Sequence, residues 1–231
     1  MLDVTNNTEK SFADGKILQG VADGVGIVTF NNPDKRNAMS LDMWEGLGQA
    51  LVALHDDPAV RVVILTGAGD KAFVSGADIS QFETTRHNAE ASADYSRRSE
   101  AQRALLANYS KPTIACIRGF CLGGGMQLAM LTDIRIASET ATFGLSEVKR
   151  GIIAGNGGTQ RVLSQLPYPI AMEMLLTGDA IPARAAARRG RSNRGVPHGQ
   201  PGETTSDAAR HPAHPAPPPL APAHERAAAP P

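Results

Sequence analysis

The sequence predicts an α/β fold in which strand, turn and helix alternate along residues 15–183. Two stretches, 60–65 and 113–117, are rich in apolar and β-branched residues, with Arg61 as the single charged position, which is the pattern of parallel strands buried on both faces. Glycine-rich segments follow these stretches, and apolar residues at helical spacing precede the first of them. Residues 1–14 are expected to form a flexible N-terminus, and residues 184–231 a disordered tail.

The first predicted elements are a β-hairpin and a helix. Residues 16–21 and 25–30 flank an Ala-Asp-Gly turn, whose Asp and Gly suit the tight turn of a hairpin. Ser40 is a good helix N-cap, because its hydroxyl can accept a hydrogen bond from a free N–H of the first turn. The apolar positions of the helix that follows are Leu41, Trp44, Leu47, Leu51 and Leu54. This helix is expected to end near Pro58.

The later elements alternate in the same way and lead to a second glycine-rich region. They are, in chain order, a buried strand over 60–65, a long polar helix over 88–108, a buried strand over 113–117, a short strand over 133–137 and a segment over 143–147 that precedes the loop 155–158. In parallel sheets, ligands collect beyond the carboxyl ends of the strands. The loops that follow these strands are therefore candidate binding sites.

Charge and cysteine content argue against several classes of function. The formal net charge is +0, which gives no support to a nucleic-acid partner. Cys116 and Cys121 lack the spacing of a zinc site or a redox motif, and two thiols cannot form a disulfide framework. No signal-peptide pattern is visible, and no window is apolar enough to cross a bilayer. We therefore expect a soluble cytoplasmic protein without a membrane partner.

The composition changes abruptly near Ile181. From Arg184 onward, Val196 and Leu220 are the only large aliphatic residues, and Pro, Ala, Arg and His dominate. Such a segment buries too little apolar surface to offset the entropy of ordering. Translation of a GC-rich gene in a shifted frame gives this composition, and our hypothesis is a frameshifted or mis-sequenced C-terminus. Resequencing that finds this reading frame intact, followed by expression of an ordered tail, would contradict it.

Two glycine-bearing loops are the candidates for chemistry. The first is KAFVSGADI over 71–79, and the second is GFCLGGGMQLA over 119–129, where three glycines open a helical pattern. Glycine lets a backbone approach a ligand closely, and the first N–H groups of a helix favour developing negative charge. Each loop also has a purely structural interpretation. The only role of Gly76 could be to form a turn, and the triple glycine could be a close-packed turn.

Three segments in this order, FVSGADI, GFCLGGGMQLAMLTDIRIAS and FGLSEVKRGIIAGNGGTQR, resemble the enoyl-CoA hydratase/isomerase (crotonase) family. FNNPDKRNAMS is similar to that family's first strand and following loop, so the resemblance covers residues 15–181. It implies a crotonase (ClpP/crotonase-like) spiral of ββα units that binds an acyl-coenzyme A thioester. Coenzyme A would enter as part of the substrate, with no metal or redox cofactor. A family homotrimer or hexamer is also implied, although the altered C-terminus argues against it.

The resemblance further implies an oxyanion hole in which the backbone amides of Ala77 and Gly124 donate to the thioester oxygen. Each preplaced donor of this kind is worth about 3 kcal/mol of barrier. Lys35, Arg36 and Lys71 could contact the phosphates of coenzyme A, or each could be an ordinary solvated surface charge. The residues that the resemblance places along coenzyme A are Lys35, Ala38, Lys71, Ala77, Asp78, Ile79 and Gly123.

The acid–base residues depart from the pattern of the family's hydratases. Those enzymes use two glutamates, one that activates water and one that delivers a proton to the α-carbon, and the matching positions here are Gln127 and Glu147. An amide cannot exchange a proton near neutral pH, so Gln127 can only hold a water or a substrate group. Glu147 remains as the single acid–base residue. The alternative interpretation is that Glu147 is an ordinary loop carboxylate.

A single glutamate is what the family's Δ3,Δ2-enoyl-CoA isomerases retain. The leading prediction is therefore an enoyl-CoA hydratase/isomerase-type enzyme with Glu147 as acid and base. Hydration with Gln127 orienting the water stays open, at a loss of about 10² to 10⁴ in rate, as do thioester hydrolysis and decarboxylation. Two further alternatives are a catalytically silent acyl-CoA-binding protein and a non-functional truncated paralogue.

Overall fold

The computed structural model describes residues 10–85, 87–155, 157–188 and 194–196. Its strands are β1 (Lys10–Phe12), β2 (Ile17–Ala22), β3 (Val25–Phe30), β4 (Val62–Gly67), β5 (Ala72–Val74), β6 (Thr113–Ile117), β7 (Phe120–Leu122), β8 (Ile134–Ser138), β9 (Thr142–Gly144), β10 (Ile181–Pro182) and β11 (Arg194–Val196). Its α-helices are α1 (Leu41–Asp56), α2 (Phe82–Thr85), α3 (Ala89–Ala107), α4 (Gly124–Ala129), α5 (Gly158–Gln165), α6 (Tyr168–Thr177) and α7 (Ala183–Arg188). Single 3-10 turns lie at Pro33–Lys35, Ile79–Gln81 and Val148–Arg150.

The strands divide between two sheets, and successive units of the chain contribute one strand to each. The larger sheet has the order β1-β2-β3-β4-β6-β8-β11, and the smaller has the order β10-β9-β7-β5. In each of the pairs β4 and β5, β6 and β7, and β8 and β9, the first strand lies in the larger sheet and the second in the smaller one. Helical segments follow each pair. This alternation is the spiral of ββα units that the resemblance implied.

The larger sheet carries apolar clusters on both faces. Strands β3, β4 and β6 pair in parallel and are buried at every position, as the apolar stretches predicted. Val63 and Leu65 join the main core together with α1, whereas Val62 and Ile64 belong to a second cluster. Ser40 caps α1 as predicted, because its Oγ accepts a hydrogen bond from the Met43 N–H at 3.2 Å.

Helix α3 is the predicted long polar helix, and it packs against α1. Asn88 caps its start, since Oδ1 accepts a hydrogen bond from the Ala91 N–H at 2.8 Å. The guanidinium of Arg103 lies 4.4 Å from the centroid of the Trp44 ring, which joins the two helices by a cation–π contact. Within the described ranges, no helix combines the length and the apolarity needed to span a membrane.

Folded structure extends beyond the predicted limits at both ends. Strand β1 pairs with β2 inside the predicted flexible N-terminus, 1–14, and Gly46 of α1 lies close to Phe12. At the other end, α7 begins at Ala183, and β11 pairs in parallel with β8. Backbone hydrogen bonds to an open sheet edge need no apolar pattern, so no local pattern indicated these strands. The remainder of the predicted tail lies outside the described residues.

Candidate active site at the edge of the smaller sheet

Three parallel strands of the smaller sheet end at the same edge. Strand β5 pairs with β7, and β7 pairs with β9, so the carboxyl ends of the three strands lie next to one another. The segments that follow them are 75–77, 123–124 and 145–147. These segments contain Ala77, Gly124 and Glu147, the three residues on which the predicted chemistry depends. The fold therefore brings the predicted amides and the predicted acid–base residue to one edge.

The backbones of Ala77 and Gly124 lie side by side. A Cβ atom built on Gly124 would be 3.8 Å from the Ala77 nitrogen. The Met39 N–H donates to the Gly76 carbonyl at 2.8 Å, and the Asp78 N–H donates to the Met39 carbonyl at 2.9 Å, which fixes the loop on both sides of Ala77. Within the described part of the chain, neither the Ala77 nor the Gly124 amide donates a hydrogen bond. Gly124 opens α4, where the first N–H groups have no partner inside the helix.

The three consecutive glycines have different tasks. Gly123 has φ 50° and ψ −121°, a conformation that side chains rarely adopt, and its N–H donates to the Gly144 carbonyl at 2.8 Å. Gly125 permits close packing, because a Cβ there would lie 2.0 Å from the carbonyl oxygen of Val74. Gly124 lies between them and presents its amide. The structural interpretation of the triple glycine therefore applies to Gly123 and Gly125.

Glu147 directs its carboxylate toward the glycine loop. A Cβ built on Gly123 would be 3.3 Å from Oε1 of Glu147, and Gln127 Nε2 donates to this oxygen at 2.9 Å. Oε2 is buried and has no hydrogen-bond partner among the described residues. Burial raises the pKa of Glu147, although hydrogen bonds, including the one from Gln127, and the charge of Arg150 act in the opposite direction. A raised pKa suits a carboxylate that must both accept and donate a proton near neutral pH.

Gln127 is held from two sides. It is 4% exposed, and its backbone N–H donates to the Gly123 carbonyl at 3.0 Å. A Cβ built on Gly158 would lie 3.0 Å from the Gln127 side-chain amide, so the start of α5 forms a wall beside this amide. The sequence predicted that Gln127 would hold a water or a substrate group. In the structure, the side-chain amide donates a hydrogen bond to Glu147.

Two residues expected along coenzyme A form an ion pair with each other. Lys35 Nζ donates to Asp78 Oδ2 at 2.9 Å and to Ser80 Oγ at 2.8 Å. Asp78 is 8% exposed, and its Oδ1 also accepts a hydrogen bond from the Ser80 N–H at 3.1 Å. Burial by itself raises the pKa of Asp78, but the hydrogen bonds from Lys35 and Ser80 outweigh it and hold the pKa below its usual value. This cluster braces the loop next to Ala77.

The other expected coenzyme A residues are distributed around the same loop. Ala38 is half-buried and precedes Met39, which forms a parallel bridge with Ala77. Ile79 is 53% exposed, so an apolar side chain lies on the surface beside the Asp78 ion pair. Lys71 is exposed and precedes β5, at the opposite end of this strand from Ala77. The structure therefore brings Ala38 and Ile79 to the site but not the backbone of Lys71.

Asn37 is a supporting residue that the sequence reasoning missed. It is fully buried and has φ 56°, a left-handed conformation that asparagine tolerates better than most residues. Its Nδ2 donates to the carbonyls of Ala68 and Ala72 at 3.1 and 2.8 Å. The side chain thus ties the Pro33–Lys35 turn to the segment that leads into β5. A single asparagine in a polar loop gives little signal for such a role.

Comparison with protein families identifies the class of this chain. The family model described as enoyl-CoA hydratase/isomerase matches residues 20–227. The chain therefore belongs to the enoyl-CoA hydratase/isomerase family. The match continues past residue 181, where the sequence resemblance was expected to end.

Individual relatives agree with this assignment. The chain is 39% identical over 170 residues to the crotonyl-CoA hydratase of Syntrophomonas wolfei, covering 74% of this chain and 65% of that protein. It is 40% identical over 172 residues to the mitochondrial enoyl-CoA hydratase of Pongo abelii, covering 74% of this chain and 58% of that protein. The chain thus spans less than two thirds of the length of these curated relatives.

Solved structures confirm the predicted crotonase fold. An enoyl-CoA hydratase from Bacillus anthracis superimposes with a TM-score of 0.80 at 34% identity, covering 84% of this chain and 75% of that chain. An enoyl-CoA hydratase/carnitine racemase from Magnetospirillum magneticum gives a TM-score of 0.82 at 32% identity, covering 88% and 76%.

Proposed function

We propose that the chain binds an acyl-CoA thioester and stabilises its enolate through the amides of Ala77 and Gly124, with Glu147 as acid and base. One observation carries the proposal: the Glu147 carboxylate lies against the glycine loop that contains Gly124, the Gly124 amide is adjacent to the Ala77 amide of the neighbouring loop, and neither amide has a partner in the described structure. On enolisation the thioester oxygen becomes more negative. Fixed N–H donors then stabilise the transition state more than the substrate. Family membership supports the substrate class.

Among the reactions open to this site, we favour the isomerisation of a 3-enoyl-CoA to a 2-enoyl-CoA. Glu147 would remove a proton from C2, and the electron pair would delocalise over the diene to the thioester oxygen between the two amides. The protonated Glu147 would then return the proton to C4 as the carbonyl re-forms. One carboxylate completes this cycle, so no second acid, water or cofactor is consumed. Gln127 at the second glutamate position supports this choice, because an amide cannot exchange the proton.

Hydration of a 2-enoyl-CoA is the second candidate. It is supported by the relatives, since both curated proteins compared above are described as hydratases. Glu147 would have to serve both the water and the α-carbon. We therefore expect hydration to be slower than isomerisation by about 10² or more, the usual contribution of a positioned acid–base group.

The test uses the purified full chain with three measurements. These are the isomerisation of 3-hexenoyl-CoA, the hydration of crotonyl-CoA, and the binding of the unreactive butyryl-CoA by calorimetry. We expect Glu147→Gln to lower the isomerisation rate by about 10³ and to leave butyryl-CoA binding unchanged. The matched control is Glu139→Gln, which removes an exposed carboxylate that pairs with Arg184. This control should retain full turnover.

Other outcomes separate the remaining alternatives. Binding of butyryl-CoA without turnover in either assay, unchanged by Glu147→Gln, would favour a catalytically silent acyl-CoA-binding protein and overturn the enzymatic proposal. Absence of a cooperative unfolding transition would favour a non-functional chain. Hydration that exceeds isomerisation would reverse the order of the two candidate reactions.

A further inference from the structure

We propose that Gln127 is a positioning residue that orients the Glu147 carboxylate, binding Oε1 and leaving Oε2 as the oxygen that moves the proton. The inference rests on the proposed function and deepens it, since it assigns a role to a residue that cannot itself exchange protons.

The geometry gives the amide one main direction. The backbone of Gln127 is fixed in α4 by the hydrogen bond of its N–H to the Gly123 carbonyl, and its side chain is buried. Gly158 packs against the amide, because a Cβ at position 158 would lie 3.0 Å from it, closer than ordinary van der Waals contact. Nε2 donates to Glu147 Oε1 at 2.9 Å, within the range of a good charge-assisted hydrogen bond. The amide is therefore confined between α5 and the carboxylate.

The two carboxylate oxygens consequently have different environments. Oε1 is bound to Gln127 and lies near Gly123, whereas Oε2 is buried without a hydrogen-bond partner among the described residues. A buried oxygen that lacks a partner is costly to maintain, and such groups are concentrated at functional sites. Oε2 is thus the oxygen that no hydrogen bond from the described residues occupies, and the proton transfer is assigned to it. Rotation of the carboxylate, which would exchange the two oxygens, is opposed by the hydrogen bond from Gln127.

An amide suits this task better than a second carboxylate would. Two carboxylates at this separation cannot both ionise easily, so one proton would be shared between them. The amide donates a hydrogen bond but does not exchange its proton, which keeps the transferred proton on Glu147. Its hydrogen bond also stabilises the ionised carboxylate against the effect of burial. Arg150 is the charged group that acts on Glu147 in the same direction.

The test compares Gln127→Met with the native chain. Methionine has a similar volume but cannot donate a hydrogen bond, so we expect kcat for 3-hexenoyl-CoA to fall about 10- to 100-fold with little change in KM. The acid limb of the pH–rate profile should move to higher pH. The pKa of the Glu147 carboxyl, followed by NMR in protein with ¹³C-labelled glutamate and assigned with Glu147→Gln, should also rise.

The matched control is Gln165→Met in α5. Gln165 Nε2 donates to the Met130 carbonyl at 3.1 Å, so this variant also removes one amide hydrogen bond. The control should leave both kcat and the Glu147 carboxyl pKa unchanged. If Gln127→Met does not fold, Gln127→Asn serves instead, because it keeps a polar amide that is one methylene too short to reach Glu147 Oε1, and the same pKa should rise through loss of that hydrogen bond.

The carboxyl pKa is measured without substrate, which separates the two proposals. A native chain without isomerase activity but with a pKa that rises in Gln127→Met would reject the proposed reaction and retain the positioning role. A Glu147 carboxyl pKa that is the same in Gln127→Met and in the native chain would overturn the positioning role, even if the native chain is an active isomerase.

Discussion

Gly125 sets the distance between the two amides, and a methyl group at this position should separate them. A Cβ on Gly125 would lie 2.0 Å from the Val74 carbonyl oxygen and 2.7 Å from its carbon. Ordinary contact begins at 3.4 Å, so the start of α4 must move by about 1 Å or more in Gly125→Ala. Val74 ends β5, shortly before Ala77. The movement therefore acts directly on the gap between the Ala77 and Gly124 amides.

We expect Gly125→Ala to lower kcat for isomerisation about 100-fold. A misplacement of about 1 Å can cost this much, and the loss of one oxyanion donor costs a similar factor. KM should change less, because the ion pair of Lys35 with Asp78 and the exposed Ile79 lie outside the displaced helix. Overpacking should also lower the free energy of unfolding by about 1 to 3 kcal/mol. Steady-state kinetics well below the melting temperature and thermal unfolding by circular dichroism measure the two effects.

Gly155→Ala is the matched control, because a Cβ on Gly155 has no described atom within 4 Å and Gly155 does not have a positive φ. This variant should keep both its activity and its melting temperature. The explanation is refuted if Gly125→Ala retains full kcat, or if Gly155→Ala loses as much activity as Gly125→Ala.

Three further predictions concern stability and the loop next to Ala77. Asp78→Asn removes the charge that pairs with Lys35 and should lower kcat about 10-fold. Because the folded pKa of Asp78 is lowered, the native chain should be more stable than this variant above about pH 4, and the difference should disappear as the pH falls further. Thermal unfolding across pH measures this difference. Glu147→Gln should change stability in the opposite direction, because burial raises the folded pKa of Glu147 and ionisation therefore destabilises the native chain. This variant should unfold at a higher temperature than the native chain at pH 7, and the difference should close below about pH 4. Ser40→Ala should lose about 1 kcal/mol of stability in urea unfolding through loss of the α1 N-cap, with unchanged kcat.

Local signals explain which parts of the fold were predictable. The buried strands β4 and β6, the capped helix α1 and the polar helix α3 each follow from a pattern within one short stretch of sequence. Strands β1 and β11 were missed, because pairing at a sheet edge depends on backbone hydrogen bonds and on the presence of a neighbouring strand. No local pattern reports that neighbour.

The same distinction applies to the site. The family resemblance pointed to Ala77, Gly124 and Glu147, because each lies in a recognisable segment, and the parallel strands bring these segments together. The hydrogen bond between Gln127 and Glu147 was missed, as was the ion pair of Lys35 with Asp78, which joins residues 43 positions apart in sequence. Such contacts depend on side-chain directions that only tertiary packing determines.

The short strands of the smaller sheet position the candidate site. Strands β3, β4 and β6 of the larger sheet are buried throughout, whereas β5, β7 and β9 of the smaller sheet have three residues each. The register of Cys121 with Phe143 sets the height of the glycine loop relative to Glu147. A slip of one residue would move the loop by about 3.3 Å, enough to break the contact of Gln127 with Glu147. Because Phe73 and Phe143 are fully buried in the main core, a slip would also turn large apolar side chains away from it, so substitutions in these short strands should lower stability together with turnover.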